Sequence, residues 1–292
     1  MIVRKRIFAL GFFDGVHLGH QALLRRCVEM AQEQGAVPTA ITFSAHPQSL
    51  FDHAPGLINT NEDRQRLLHS YGMEEILVYP VTKEVMSTSW EDFLHDLVAQ
   101  GAAGFVCGKD FRFGHRGAGN AEKLKIFCSE RSLACRILGD EMLDGLRVSS
   151  SHIRSLLEAG EMEQAVRFLG HPHILTGKVI SGRKLGRTIG IPTANLSLPK
   201  EILLPKLGVY ACRALLDGKS YTAVTNIGTR PTVGGNHVTV EPWLLDFDGD
   251  LYGKSLTLEF HKFLRPEQKF TDLNALKAQI QKDAAETYKL YK

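Results

Sequence analysis

The stretch Gly11-Phe12-Phe13-Asp14-Gly15-Val16-His17-Leu18-Gly19-His20 decides how the first half of this 292-residue chain folds. An apolar run from Ile7 to Phe13 leads into this stretch, and apolar residues at helical spacing follow it. This pattern predicts a strand, a tight glycine turn and a helix that begins near His20. A helix N-terminus presents unpaired N–H groups and partial positive charge, which suits a phosphate. Gly11 and Gly15 are expected to let the backbone approach that ligand closely.

Two histidines stand at the start of the predicted helix. His17 and His20 are three residues apart and can therefore share one face of the first turn. A single histidine there is commonly a cap or a solvated side chain, whereas two imidazoles between glycines can donate hydrogen bonds to a phosphoryl group. The nucleotide contacts expected from the same stretch are Gly11, Phe12, Phe13, Asp14, Gly15 and Gly19.

The histidine string resembles the H-x-G-H signature of the nucleotidylyltransferase superfamily. In that superfamily a phosphate attacks the α-phosphorus of ATP and pyrophosphate is released. The resemblance implies a protein that positions the reactants and stabilises charge, without a covalent nucleophile.

The composition is that of an ordinary globular chain with one large domain or two average ones. Hydrophobic residues make up 43% and charged residues 23%, and the net charge is +3. This charge is too small to indicate a nucleic acid or an anionic membrane as a partner. Five scattered cysteines favour reduced thiols over a disulfide framework. No segment has the length of a membrane span or the pattern of a signal peptide, so a cytoplasmic location is expected; the oligomeric state stays open.

Strands and helices alternate along the first half, which is typical of a parallel sheet covered on both faces. Ligands of such sheets bind at the carboxyl ends of the strands. His17, His46 and Asp110 each follow a predicted strand, so we expect them to gather at one edge. The predicted strands cover 37–43, 76–79 and 105–107, and the predicted helices begin at Asn61 and Ser89.

Two later segments of the first half have two interpretations each. From Gly108 to Gly114, aromatic and charged residues alternate; this is either a solvated loop or a flavin contact through Phe111 or Phe113. Further on, three serines precede a predicted helix and are first of all caps. With a nearby arginine they also form a second anion cradle, for the β- and γ-phosphates of ATP. The members of this cradle are Ser150, Ser151 and Arg154.

The pattern changes near Gly170, where we predict a domain boundary. Short strands and turn residues follow, which indicates a small β-barrel. Asp217-Gly218 and Asp248-Gly249 each stand between two predicted strands and predict hairpins. An amphipathic helix, capped by Thr271 or Asp272, ends the chain.

A glycine-rich segment from Gly182 to Gly190 precedes Pro192-Thr193-Ala194-Asn195. It is either a plain surface loop or a flexible cover for phosphates. Thr193 and Asn195 alternate on an extended backbone, so both oxygens can face one Mg²⁺. Glu241 lies among strand residues, where a carboxylate is more often a rim group. It becomes a candidate general base because a phosphoryl transfer needs one.

Together these motifs resemble the bifunctional bacterial riboflavin kinase/FAD synthetase family over nearly the whole chain. The segment from Gly182 to Asn195 is the most specific part of the resemblance. The resemblance implies an α/β plus all-β protein: a Rossmann-like nucleotidylyltransferase domain over 1–170 and a Greek-key riboflavin kinase barrel over 171–292. Further matching segments are 226–232, 246–249, 251–253 and 263–267.

For the barrel, the resemblance implies phosphorylation of riboflavin by MgATP to give FMN and ADP. Glu241 would take the proton from the ribityl hydroxyl, Thr193 and Asn195 would hold Mg²⁺, and Arg265 would contact the flavin. The residues expected at the kinase nucleotide are Gly182, Lys184, Gly186, Thr188, Gly190, Thr193 and Asn195.

For the first domain, the resemblance implies adenylylation of FMN by a second ATP to give FAD and pyrophosphate. His17 and His20 would steady the α-phosphate, while His46 and Asp110 would lie near FMN or the nucleotide. The residues expected to hold the departing pyrophosphate are Ser150, Ser151 and Arg154.

Several positions depart from the family pattern, including Ser151 in place of the usual threonine and Pro242 in place of a small residue. Ala45 stands where proline is common. His152 stands where an arginine is usual, and its mostly neutral ring is expected to weaken pyrophosphate binding. Trp243 is expected either to alter flavin packing or to cover the barrel.

Two other hypotheses compete with the flavin enzyme. One is a transferase for a different phosphate ester, with the barrel as a substrate-binding appendage; Glu241 and the Pro-Thr-Ala-Asn segment argue against it. The other is a non-catalytic flavin or nucleotide sensor, and the retention of both His17 and His20 argues against that.

Overall fold

The computed structural model describes residues 4–50, 54–181, 190–232 and 235–291, and its contacts divide the chain into two compact units. The first unit comprises Met1–Leu57 and Asn61–Ser150, and the second comprises Ile58–Thr60 and Ser151–Lys292. Residues 151–170 thus group with the second unit by contact. Contacts alone do not assign a function to these residues, so the functional boundary near residue 170 stays a prediction.

The first unit is a five-stranded parallel sheet with helices between its strands. Its strands are β1 (Arg6–Leu10), β2 (Val37–Phe43), β3 (Glu75–Tyr79), β4 (Ala102–Gly108) and β5 (Ala134–Leu138). Its helices are α1 (Leu18–Gln34), α2 (Asn61–Ser70), α3 (Lys83–Met86), α4 (Trp90–Ala99) and α5 (Ala121–Glu130). The strand order β3-β2-β1-β4-β5 reverses between β1 and β4. The predicted parallel sheet is confirmed, and its switch point lies directly after β1, where such folds bind ligands.

Several boundaries differ from those that the sequence predicted. β1 ends at Leu10 and α1 begins at Leu18, because the chain turns as soon as Gly11 leaves the sheet. α5 and β5 were not predicted, although the Asn120 side chain accepts a hydrogen bond from the Lys123 N–H at 2.9 Å, an ordinary N-cap. A short hairpin of β6 (Met142–Leu143) and β7 (Leu146–Arg147) was also missed.

The second unit is a closed antiparallel barrel of six strands, preceded and followed by helices. Its strands are β8 (His173–Ile180), β9 (Asn195–Ser197), β10 (Gly208–Leu216), β11 (Lys219–Thr232), β12 (Gly235–Leu244) and β13 (Ser255–Arg265). Its helices are α6 (Ser150–Ala159), α7 (Met162–Leu169) and α8 (Leu273–Leu290). The order β10-β11-β12-β9-β8-β13 closes because β13 also pairs with β10. The predicted barrel and terminal helix are confirmed, and Asp272 caps α8 by accepting the Ala275 N–H at 2.8 Å.

Within the described part of the chain, the helices fall short of the length and apolar character that crossing a bilayer requires.

Of the two predicted hairpins, one is confirmed and one is wrong. Asp217-Gly218 joins β10 to β11 with φ of 48° and 77°, as a two-residue type I′ turn requires. Asp248-Gly249 does not join paired strands. β12 pairs with β11 and β9, while β13 pairs with β10 and β8, so both edges of each strand are already occupied.

Gly104 on β4 gives the first stability prediction. A Cβ at this buried position would lie 2.8 Å from the Ala134 carbonyl oxygen, and backbone cannot easily move away. Gly104→Ala should therefore lower the free energy of unfolding by about 1–3 kcal/mol, as measured by urea denaturation. The matched control is Gly108→Ala on the same strand, where a Cβ would meet nothing within 4 Å and the change should stay within about 0.5 kcal/mol. Equal losses in the two variants would contradict the steric argument.

Candidate functional sites in the two units

The turn after β1 is shaped by its own aromatic side chain. The Phe13 ring folds back so closely that a Cβ on Gly11 would lie 2.8 Å from Phe13 Cζ. Gly11 therefore makes room for Phe13, and the close approach of a ligand to the Gly11 backbone stays a prediction. Phe13, Gly15 and Val16 have φ of 59°, 81° and 37°. These left-handed conformations reverse the chain within a few residues.

Hydrogen bonds from three directions fix this turn. The Thr42 hydroxyl of β2 donates to the Phe12 carbonyl at 2.7 Å, and the Ser150 hydroxyl donates to the Asp14 carbonyl at 2.9 Å. The Gln21 amide of α1 donates to the Val16 carbonyl at 2.9 Å. The Ser150 side chain thus stabilises the turn, and its contact with an anion stays a prediction. The turn is a preorganised structure rather than a mobile loop.

His17 and His20 lie together, as their spacing predicted. Their rings stack with centroids 3.7 Å apart and planes at 15°. His17 is also the N-cap of α1, because its Nδ1 accepts the His20 N–H at 3.3 Å. In neutral His17 the ring proton is therefore on Nε2. The capping interpretation and the functional one are thus both compatible with this side chain.

His20 is kept uncharged by its surroundings. Burial first, and then the positive charges of His17 and Arg64, lower its pKa well below the usual value. Its Nδ1 is buried and has no hydrogen-bond partner among the described residues. His20 can therefore offer an N–H donor to a phosphoryl oxygen as a neutral ring.

The structure brings His46 to the turn but places Asp110 in a separate ion-pair cluster. The His46 ring meets the Phe12 ring edge-to-face with centroids 5.1 Å apart. The Asp110 carboxylate accepts from Arg147 at 2.6 Å, and Arg147 also pairs with Asp140 at 3.1 Å. Contact with FMN or the nucleotide stays a prediction for both His46 and Asp110.

Phe113 is not available to a flavin. It is 6% exposed, and its ring lies 5.7 Å from the rings of both Phe93 and Phe111. The interpretation of Phe113 as a flavin-stacking ring is therefore wrong, because the side chain is part of the core.

The serine cradle is divided between the two units. Ser150 belongs to the first unit, and Ser151 and Arg154 belong to the second. Their joint contact with pyrophosphate stays a prediction. Within the second unit, the ring of His152 packs edge-on against Phe168 of α7 with centroids 4.7 Å apart.

A cavity of about 570 Å³ in the second unit is bordered by the barrel and α8. We call it the apolar cavity. Val209, Val224 and Trp243 from the barrel line it, with Leu276 and Ile280 from α8. Its polar lining includes Thr193, Asn226 and Glu241. A planar aromatic ligand with a polar tail fits such a lining.

A second cavity, of about 470 Å³, is lined by the segment that starts at Gly190 and by the connection from β12 to β13. We call it the loop cavity. Phe247, Asp250 and Tyr252 are among its lining residues. Thr193 borders both cavities, so ligands in the two cavities would meet at this residue. The predicted nucleotide contacts Gly182, Lys184, Gly186 and Thr188 lie outside the described residues.

Thr193 and Asn195 offer oxygen ligands on one side of their segment. They are partly exposed and alternate with the buried Ala194 and Leu196, as the extended backbone predicted. Hydroxyl and amide oxygens suit Mg²⁺. The described residues contain no cluster of three or more histidine, cysteine, aspartate or glutamate side chains placed to bind a metal.

Glu241 is oriented by its own strand. Its Oε1 accepts a hydrogen bond from the Thr239 hydroxyl at 2.8 Å, and it is the register partner of Asn226 on β11. Because Glu241 also lines the apolar cavity, its carboxylate is placed to accept a proton from a bound alcohol.

Arg265 has a structural partner that the sequence did not indicate. Its guanidinium donates to Asp283 of α8 through Nε at 3.0 Å and Nη2 at 2.8 Å. The two side chains are 16% and 4% exposed. Gln279 donates to the same carboxylate at 2.8 Å. Arg265 therefore fixes α8 to β13 beside the apolar cavity, and its contact with a flavin stays a prediction.

Two family models match the chain in succession. The model described as FAD synthetase matches residues 2–152, and the model described as riboflavin kinase matches residues 169–291. Relatives named bifunctional riboflavin kinase/FMN adenylyltransferase are 37% identical in Pseudomonas fluorescens and 33% identical in Listeria monocytogenes. Each alignment covers 97% of this chain, with 92% and 91% of the relative. The chain belongs to the bifunctional riboflavin kinase/FMN adenylyltransferase family.

The fold also recurs in a solved structure. A crystal structure described as a macrolide-efflux protein from Streptococcus pneumoniae has a TM-score of 0.88 and 28% identity, covering 99% of this chain and 95% of that one. The family predicted from the motifs is confirmed by the family models and the relatives, independently of the name given to that structure.

Sequence reasoning missed three features of this family member. The α8 residues Leu276 and Ile280 were recognised as an apolar helix face, but not as the lining of a cavity. The Asp283 partner of Arg265 gave no sequence signal, because a single aspartate in an amphipathic helix is common. The burial of Arg64 was also missed, because the residues next to it in the sequence give no sign that this arginine is buried.

The Arg265–Asp283 pair gives the second stability prediction. Asp283→Asn removes the negative charge and leaves a mostly buried guanidinium without its counterion. We expect a loss of about 2–4 kcal/mol in the free energy of unfolding, measured by urea denaturation. The control is Glu286→Gln on the same helix, whose pair with Lys262 has side chains 45% and 34% exposed and should contribute about 1 kcal/mol or less. If both variants lost equally little, the buried pair would not fix α8.

Proposed function

We propose that the second unit phosphorylates riboflavin to FMN and that the turn after β1 adenylylates FMN to FAD, with ATP as co-substrate of both reactions. The observation that carries this proposal is that each unit contains a differently built candidate site. One is a stacked histidine pair at a helix N-terminus, and the other is a pair of cavities that meet at Thr193.

In the kinase reaction, the isoalloxazine ring of riboflavin occupies the apolar cavity and the ribityl chain extends toward Glu241. ATP occupies the loop cavity. Glu241 accepts the proton of the terminal hydroxyl as that oxygen attacks the γ-phosphorus, and ADP leaves. Thr239 holds the carboxylate in place through the 2.8 Å hydrogen bond.

The side-chain oxygens of Thr193, at the junction of the cavities, and of Asn195, two residues further along the chain, would hold Mg²⁺. The ion would supply positive charge to the transferring phosphate. Thr193 and Asn195 supply two neutral oxygens.

In the adenylyltransferase reaction, a phosphate oxygen of FMN attacks the α-phosphorus of ATP and pyrophosphate leaves. His17 and His20 donate hydrogen bonds to the α-phosphate oxygens as negative charge develops there, and the α1 N-terminus adds partial positive charge. Ser150, Ser151 and Arg154 are proposed to hold the leaving pyrophosphate.

The decisive experiment supplies the purified protein with riboflavin and MgATP and resolves the products by chromatography. FMN followed by FAD is expected. FMN alone would contradict the role of the first unit. Formation of neither product would favour a transferase for another phosphate ester or a sensor.

Glu241→Gln tests the proposed base. It should abolish riboflavin phosphorylation, because an amide cannot accept the proton, while FAD synthesis from added FMN stays nearly unchanged. Both rates are measured on one preparation, with the exposed Glu201→Gln as the matched control. A simultaneous fall in both activities would argue against two separate sites, and unchanged phosphorylation would exclude Glu241 as the base.

His20→Ala tests the histidine pair, and it should affect FAD synthesis rather than riboflavin phosphorylation. FAD synthesis from FMN should fall by about 10²-fold or more, the usual cost of losing one transition-state donor, while riboflavin phosphorylation is retained. His95→Ala, an exposed histidine on α4, is the control. A wild-type rate of FAD synthesis in the His20 variant would remove this residue from the mechanism.

A further inference from the structure

A fully buried arginine lies beneath the adenylyltransferase turn. Arg64 of α2 is 0% exposed. Its Nη2 donates to the Phe43 carbonyl at the end of β2 and to Asn61 Oδ1 at 3.1 Å. Its Nε and Nη1 are buried and have no hydrogen-bond partner among the described residues. Such a side chain stabilises a fold poorly, because a buried guanidinium loses its hydration and keeps its charge.

The contacts of Arg64 lead to the proposed site. Its guanidinium carbon lies 4.5 Å from the centre of the Phe12 ring, a cation–π distance. Phe12 in turn contacts His46. Burial lowers the pKa of Arg64 to about 10, and the charge of the nearby Asp14, itself 1% exposed, opposes that shift. Arg64 therefore interacts with two positions of the turn, Phe12 and Asp14.

We propose that Arg64 is a positioning residue of the adenylyltransferase reaction, whose buried guanidinium fixes the Phe12–Asp14 part of the turn through both its planar shape and its charge. This inference rests on the proposed function of the first unit. Arg64 has no exposed surface, so it acts through the turn and not by touching a substrate.

The charge of Arg64 also reaches the histidine pair. The charged and titratable groups around His20 are His17 on its own helix, Arg64 from α2, and Asp14, which faces Arg64 from the turn; the Glu141 side chain packs beside Gly19. Positive charge from Arg64 disfavours protonation of His20. Removing it makes His20 easier to protonate, and two stacked imidazolium rings 3.7 Å apart would repel each other. The rate should then fall at a higher pH than in the wild type.

The test measures FAD synthesis from saturating FMN and MgATP between pH 5 and 9, with urea denaturation of the same preparation as the folding control and its riboflavin kinase activity as the control for the second unit. Arg64→Met removes the charge and the hydrogen bonds but keeps much of the volume. We expect kcat for FAD synthesis to fall by roughly 10²-fold, as for a misplaced reacting group, with KM little changed. The pH at which the rate falls on the acid side should rise by roughly half a unit. Kinase activity should stay within about twofold of the wild type.

Two further variants sharpen the result. Arg64→Lys keeps the positive charge but loses the planar guanidinium, so kcat for FAD synthesis should fall. The pH at which the rate falls on the acid side should stay that of the wild type. Arg66→Met, on the same helix with a side chain 51% exposed, is the matched control and should leave both activities unchanged. An Arg64→Met enzyme with an unshifted pH profile, or with a rate within threefold of the wild type, would overturn the inference. If Arg64→Met does not fold, Arg64→Lys decides, because a wild-type kcat in that variant also contradicts the proposal. Lack of FAD synthesis in the wild type would instead contradict the proposed function itself.

Discussion

The first unit depends on how the chain leaves its central strand. Between Leu10 and Leu18 the backbone passes from β1 into α1 through three positions of positive φ. This reversal is stabilised from within by the Phe13 ring on Gly11, and from outside by the hydroxyls of Thr42 and Ser150. The histidine pair has its geometry only because the turn delivers His17 as the cap of α1. A loosely held loop could not keep two rings stacked at the start of a helix.

The second unit uses a comparable arrangement around a different fold. The apolar cavity exists because α8 is held against the barrel, and the Arg265–Asp283 pair is the buried polar contact that holds it. In both units an arginine with little or no exposure therefore organises the region beside a candidate site. Such buried charges favour one arrangement of their neighbours more than they add to overall stability.

Local patterns in the sequence predicted most of the architecture. The alternation of strands and helices and the Asp217-Gly218 turn each depend on neighbours in sequence, and each is confirmed. Asp248-Gly249 carried the same local signal, but pairing in a closed barrel is decided by distant strands. The interpretation of Phe113 as a flavin contact was wrong for a related reason. Only the tertiary fold decides whether an aromatic side chain faces the solvent or the core. The partners of Arg64 and Arg265 come from other elements, so no spacing in the sequence could reveal them.

The position of Thr193 in the lining of both cavities has a consequence for the ligands of the kinase. In the proposed kinase reaction, the alcohol and the nucleotide bind in separate cavities that share Thr193 as a lining residue. A compound that joins a flavin to a nucleotide would have to extend past Thr193 to occupy both cavities.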